Sequence, residues 1–141
     1  MGRIMALDVG TVTIGVAISD PLGITAQPVT TLRRVGWRQD LGALQALIAA
    51  HEVQRIVVGL PLRLGGERGT AAEEVEAFAR KLEAAVQLPV VSWDERLTSV
   101  QAERILLEAD VSRKRRREVV HRLAAAIILQ SYLDTPRETG A

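Results

Sequence analysis

The chain has no cysteine among its 141 residues, so no disulfide, zinc–thiolate centre or cysteine nucleophile can be built from it. Any metal must sit on oxygen or imidazole ligands. Aromatic residues are only 3% of the chain. Trp37, Phe78, Trp93 and Tyr132 form no series, so stacking of successive single-stranded bases is not expected to dominate recognition. Trp93, on a strand, reads as core. No apolar run approaches the length that spans a bilayer. The N-terminus enters its first strand without the apolar region of a signal peptide, and a cytoplasmic protein is expected. The net charge is +1, too weak a field to imply a polyanion partner. Lysine occurs only at Lys81 and Lys114. The arginine excess suits phosphate binding but equally a GC-rich genome or heat adaptation, and assigns no function by itself.

What is there is an ordinary globular balance, 48% hydrophobic and 25% charged, in a length that makes one domain over residues 1–141. Residues 3 to 9 and 12 to 19 read as strands joined by a tight Gly10-Thr11 turn, and residues 27 to 33 as a third. From Trp37 the period becomes helical, with Leu41, Leu44 and Ile48 on one face. Arg55 to Gly59 is a short apolar strand, and Leu60 to Gly69 a loop too rich in glycine to be regular. A helix carrying Val75, Ala79, Leu82 and Val86 follows, then a strand from Val90 to Trp93. Thr98 caps a helix through Glu108, and a last helix, apolar nearly all round, runs from about Glu118 to Leu133. This order predicts an α/β fold with a mixed five-stranded sheet, three antiparallel strands then parallel ones, flanked by helices.

In such a sheet the first strand lies centrally with the later strands parallel beside it, and the carboxyl ends of these strands share one edge, where ligand sites gather. Asp8 stands at that edge before the Gly10 turn, and Asp94-Glu95 ends a later strand at the same edge. Either alone reads as a turn or surface acid. Together, carboxylates without cysteine favour Mg²⁺ or Mn²⁺, and two such ions could hydrolyse a phosphodiester. The loop arginines Arg63 and Arg68 lie near this edge, in a segment that lacks the Gly-Lys-Ser/Thr of a P-loop. Arg96 could orient a carboxylate or phosphate, or make a structural salt bridge. Arg113, Lys114 and Arg115 begin a basic run through Arg117, which reads either as a solvated face or as phosphate-attracting charge.

The segments Ala6-Leu7-Asp8-Val9-Gly10, Gly15-Val16-Ala17, Asp20-Pro21, Gly59-Leu60-Pro61-Leu62, Asp94-Glu95-Arg96-Leu97-Thr98 and Leu123-Ala124-Ala125 through Ile128 to Leu133 together resemble the YqgF/RuvX family. Its members are Holliday-junction-resolvase-like nucleases implicated in maturing the ends of pre-16S ribosomal RNA. The resemblance implies a ribonuclease-H-like fold and metal-dependent hydrolysis of nucleic acid, an rRNA precursor or branched DNA. Carried over by position, Asp8 is the first catalytic acid and Glu95, or Asp94 beside it, the second. Glu95 is favoured for reach, since neighbouring strand residues point to opposite faces. The family's third acid is replaced here by His121, which could be a metal ligand, a general base, or a packed histidine. Asp8 to Thr11 also looks like the phosphate-facing turn of sugar kinases and actin-like ATPases, which need two lobes where this chain supplies one. A binder of nucleic acid or ribosome precursors without catalysis is the other alternative. Junction resolution would require a homodimer, to set two sites at a fixed separation.

If the basic run meets phosphate, nucleic-acid affinity falls steeply as salt is raised. A titration in which binding stays flat between low and moderate salt would remove that role.

Overall fold

The computed structural model describes residues 2–62, 65–66, 69–95, 104–105, 107–109 and 112–136, with only the backbone described at 113, 114 and 116–118. Five strands form one sheet: β1 (Arg3–Val9), β2 (Thr13–Ser19), β3 (Ala26–Arg33), β4 (Val53–Leu60) and β5 (Val90–Asp94). Their order is β3-β2-β1-β4-β5. The hairpin-linked β1, β2 and β3 pair antiparallel, and β4 and β5 join β1 in parallel. Among the described residues, the helices that flank them include α1 (Trp37–His51), α2 (Thr70–Val86) and α3 (Arg113–Asp134). This is the mixed sheet expected from the strand order. Among the described residues no helix is long and apolar enough to cross a membrane.

Side chains alternate across a strand, so each strand here divides its residues between two cores. Met5, Leu7, Ile14, Val16, Ile56 and Val58 face α1 and α2, meeting Leu44, Val75, Phe78 and Leu82. Ala6, Ala17 and Val57 face α3, meeting Ala125, Ile128, Leu129 and Tyr132, with Trp93 packed against them. Trp93 lies edge-on to Tyr132 at 5.2 Å and donates from Nε1 to Ser131 Oγ, which gives it the packing role expected of it. The α3 side of the sheet is made of small residues, and the helix comes close. At Gly15 it comes so close that a Cβ would run into the His121 carbonyl and the Arg122 nitrogen.

Two motif residues serve the scaffold. The Asp20 carboxylate accepts N–H bonds from Leu22, Ile24 and Thr25, led by the Thr25 bond in holding its pKa below the ordinary carboxylate value. Gln130 ties the same turn to α3, accepting from Ala26 N–H and donating to the Ile24 carbonyl.

The last helix begins at Arg113, earlier than expected, so the basic run lies within its first turns. Arginine and lysine are good helix formers, and Ser112 caps the start by accepting the Arg115 N–H at 3.2 Å. Most of the helix expected from Thr98 lies outside the described residues; residues 104–105 and 107–108 are helical.

Two glycine substitutions test the close approach of α3. Gly15→Ala is expected to cost about 2 kcal/mol or more, because a backbone and not a side-chain tip must give way. Gly42→Ala, exposed in α1 with nothing within 4 Å of the new methyl, should stabilise by roughly 0.5–1 kcal/mol. Urea unfolding of both variants checks the pair, and a neutral Gly15→Ala would contradict the packing.

Candidate active site

The alternation that divides the cores also gathers the acids. Asp8 lies two residues beyond Ala6 and so faces the α3 side, where it is buried. It pairs across the ladder with Gly15. Glu95 lies two beyond Trp93 and inherits the same face, while Asp94 between them is exposed. β5 is separated from β1 by β4, and a side chain on β4 would stand between the two acids. Gly59, two beyond Val57, occupies that place. A Cβ there would collide with Glu95 Oε2 and Ile128 Cδ1, so the Glu95 carboxyl passes through the space glycine leaves empty. The Glu95 N–H, bonded to the Leu60 carbonyl at 3.2 Å, holds the backbone for this crossing.

From the opposite side α3 delivers His121, whose Nδ1 lies 2.8 Å from Asp8 Oδ2. A carboxylate only accepts, so Nδ1 carries the proton and Nε2 is the bare nitrogen of the neutral ring. The ring rests on Gly10, where a Cβ would lie 3.4 Å from Cε1. Gly10 is itself held by its N–H bond to the Thr13 carbonyl, 2.8 Å, and by Arg34 Nη1 donating to its carbonyl at 2.6 Å.

The electrostatics follow from two acids in a half-dry niche. Burial, then the charge of Asp8, a hydrogen bond to Asp8 and the charge of Asp94 push the Glu95 pKa from 4.5 to about 8. The hydrogen bond to Asp8 raises His121 above its ordinary 6.5, against the opposing effect of burial. Near neutral pH Glu95 therefore keeps its proton and shares it with Asp8. Protons stand where added positive charge would be most strongly held. Among the described residues no group of three or more histidines and acids is spaced to hold a metal ion; what meets is the pair Asp8–Glu95 and the pair Asp8–His121.

The other candidates are placed as follows. Asp94 ends β5 on the side away from Asp8. Arg63, Arg68 and Arg96 lie outside the described residues. Arg113 and Lys114 are described only as backbone in the first turn of α3. Arg115 is exposed and, with Val119 and Arg122, lines a cavity of about 320 Å³ against Pro28 of β3, some 9 Å before His121 along the helix. Gly15 and Gly59 were not singled out as functional from the sequence. Their parity was legible, since each lies two residues from a core position on the face that carries Asp8, but not the close approach that makes glycine necessary there.

Residues 2–135 match the family RuvX, described as Holliday junction resolvase. A protein of Moorella thermoacetica named "Putative pre-16S rRNA nuclease" is 57% identical over 138 residues, covering 98% of this chain and 99% of its own. One of Listeria monocytogenes with the same name is 55% identical over 135 residues, covering 94% and 98%. Among solved structures, RuvC of T. thermophilus in complex with a Holliday junction substrate superposes with a TM-score of 0.59 at 10% identity, over 93% of each chain. That likeness concerns the fold, which is ribonuclease-H-like.

The raised Glu95 pKa fixes a stability trend for protein stripped of cations by chelation. Between pH 4.5 and about 8 the folded state keeps a proton that the unfolded chain has shed, so stability falls as pH rises through that window. The raised His121 adds to the same trend, its contribution being full below 6.5 and lost at higher pH. Glu95→Gln should flatten the dependence and raise the melting temperature at pH 8 by about 2–5 °C. Thermal melts from pH 5 to 8.5 check this, and a wild type that gained stability with pH across that range would contradict it.

Proposed function

Because the chain belongs to the RuvX family, described as Holliday junction resolvase, we propose that it is a metal-dependent nuclease hydrolysing phosphodiester bonds, with the ends of pre-16S rRNA as substrate, as its relatives' names indicate. One observation supports the catalytic half of this reading above the others: Asp8 and Glu95, from strands that are not neighbours, meet over Gly59, where burial and the charge of Asp8 hold the proton on Glu95. The donor chemistry fits a hard divalent cation, Mg²⁺ or Mn²⁺, since the donors are carboxylate oxygens with one imidazole and no sulfur. Asp8 and Glu95 would hold it. When bound, such ions activate water and neutralise the charge on the leaving oxygen.

The chain's own residues divide the remaining work. Asp8 is buried, and its Oδ2 is fixed by His121, so it does not have to be ordered when the site fills. Glu95 must give up its proton to become a ligand, so cation affinity should climb as pH approaches and passes 8. His121 orients Asp8 through Nδ1–H and leaves Nε2 to serve as a further ligand or to accept a proton during hydrolysis. Arg115 and the basic run of α3 supply positive charge on the same helix for the phosphate backbone.

The test is cleavage of a pre-16S rRNA fragment and of a four-way DNA junction, each with Mg²⁺ and with Mn²⁺. Asp8→Asn should reduce cleavage about a thousandfold or more while leaving binding nearly unchanged. His121→Ala should reduce it about 10–100-fold. Cleavage of the junction alone would move the substrate to branched DNA, in keeping with the family's description. Absence of metal-dependent cleavage of both would overturn the nuclease and favour a non-catalytic binder.

A further inference from the structure

Asp8, Glu95 and His121 meet on one face of the sheet, and two cavities lie on the other, just across the turn that carries Gly10. One, of about 600 Å³, is bounded by Arg34, Trp37, Asp40 and Lys81. The other, of about 470 Å³, reaches Gly10 and Pro61 at the carboxyl edge of the sheet. Both are lined by Thr11, Arg34, Glu74 and Phe78, so they form one continuous groove. Gly10 is its common wall with the site, since the His121 ring rests against the other side of that residue.

The groove's chemistry is mixed. Ala71, Glu74, Phe78 and Lys81 recur at spacings of three and four along α2 and present one stripe to it. Phe78 meets Trp37 edge-on at 5.7 Å, the Lys81 ammonium lies 4.4 Å from the centre of the Trp37 ring, and the Arg34 guanidinium lies 5.6 Å from that of Phe78. Both cationic heads lie against an aromatic ring and both residues line the cavity. The acids differ from one another. Asp40 is buried with Oδ1 accepting the Val35 N–H at 2.9 Å, whereas Glu74 is exposed where the two cavities join. A wall with aromatic rings, two cationic donors, the Thr11 hydroxyl and a carboxylate acceptor is suited to the base, sugar and phosphate of a nucleotide together. It is poorly suited to a bare polyanion, which Glu74 would repel. A base held in a duplex has its faces and pairing edge already occupied and cannot present them to this wall; an unpaired one can.

Resting on the nuclease reading, we infer that this groove receives one unpaired nucleotide of the substrate strand, next to the phosphodiester to be cut. The strand then passes over the Gly10-Thr11 turn from the groove to Asp8. Lys81 and Arg34 meet its phosphates, and Glu74 accepts from a base amino group or a 2′-hydroxyl. Only one aromatic pair is involved, so the inference concerns a single nucleotide and not a stacked run.

Trp37 makes the test local. In the full chain carrying Asp8→Asn, to prevent cleavage, and Trp93→Phe, which keeps a ring against Tyr132, Trp37 is the remaining tryptophan. A short unstructured RNA labelled with fluorescein reports binding by anisotropy, while Trp37 emission reports occupancy of the groove. The expected result is a saturable change in Trp37 emission with the dissociation constant given by anisotropy. Lys81→Glu should weaken binding about tenfold, and Arg80→Glu, the same charge reversal one residue away facing β5, only about two- to threefold. A blunt duplex of the same sequence should leave Trp37 unchanged. Binding by anisotropy with silent Trp37, or equal losses from the two reversals, would overturn the groove and leave the nuclease standing. Failure to bind any RNA or branched DNA would overturn both.

Discussion

Two carboxyl groups forced into one half-buried niche repel each other, and the rest of the structure around them is arranged to make that encounter possible. Asp8 is fixed by its central strand, with a helix over it. Glu95 comes from the outer strand and must cross an intervening one, which only a residue without a side chain permits. Gly59 opens that crossing, and Gly15 lets α3 settle low enough for His121 to reach Asp8. The repulsion is visible in Glu95, which holds a proton well above the ordinary carboxylate range. A scaffold selected for stability alone would separate these groups or replace one by an amide. Their meeting in a strained electrostatic state suits the cation site proposed for them.

The Gly10-Thr11 turn joins the proposed active site to the proposed nucleotide groove. Its Gly10 carbonyl is held by Arg34, its Gly10 backbone carries the His121 ring, and its far side forms the wall of the groove between α1 and α2. Arg34 therefore links the site to the second hydrophobic layer, through its position over Phe78. A substrate strand crossing the sheet edge at this turn would touch both faces, with hydrolysis on the α3 side and recognition of an unpaired nucleotide on the other. The N-terminal turns of α3, which carry the basic run, lead toward His121, where they would place attraction for phosphate near the proposed site.

Much of the fold was legible from periodicity. The apolar runs Ile4 to Leu7 and Val12 to Ile18 on either side of the Gly10-Thr11 turn, and the short apolar run into Gly59, marked strands by their length and bounding turns, while the stripe of α2 marked a helix by its spacing. The start of α3 was not, because five consecutive basic residues read as a solvated segment until Ser112 is seen capping them. The choice of Glu95 over Asp94 was within reach of parity, since Trp93 already marks the face that packs on α3. The importance of Gly15 and Gly59 was harder to read, because a glycine at a strand end ordinarily signals a turn or a bulge. The distance between a backbone and its neighbour is a tertiary fact that no local pattern encodes. The groove was invisible for the same reason: Arg34, Trp37, Phe78 and Lys81 come from one loop and two helices and share no motif.

The most direct measurement is titration of Mn²⁺ into chelator-treated protein at pH 8, followed by the loss of the free-ion electron paramagnetic resonance signal. Saturable binding in the wild type that is lost in both Asp8→Asn and Glu95→Gln is the predicted result. Undiminished binding in Glu95→Gln would mean that the two carboxyls do not share an ion, and the site built on their meeting would be wrong.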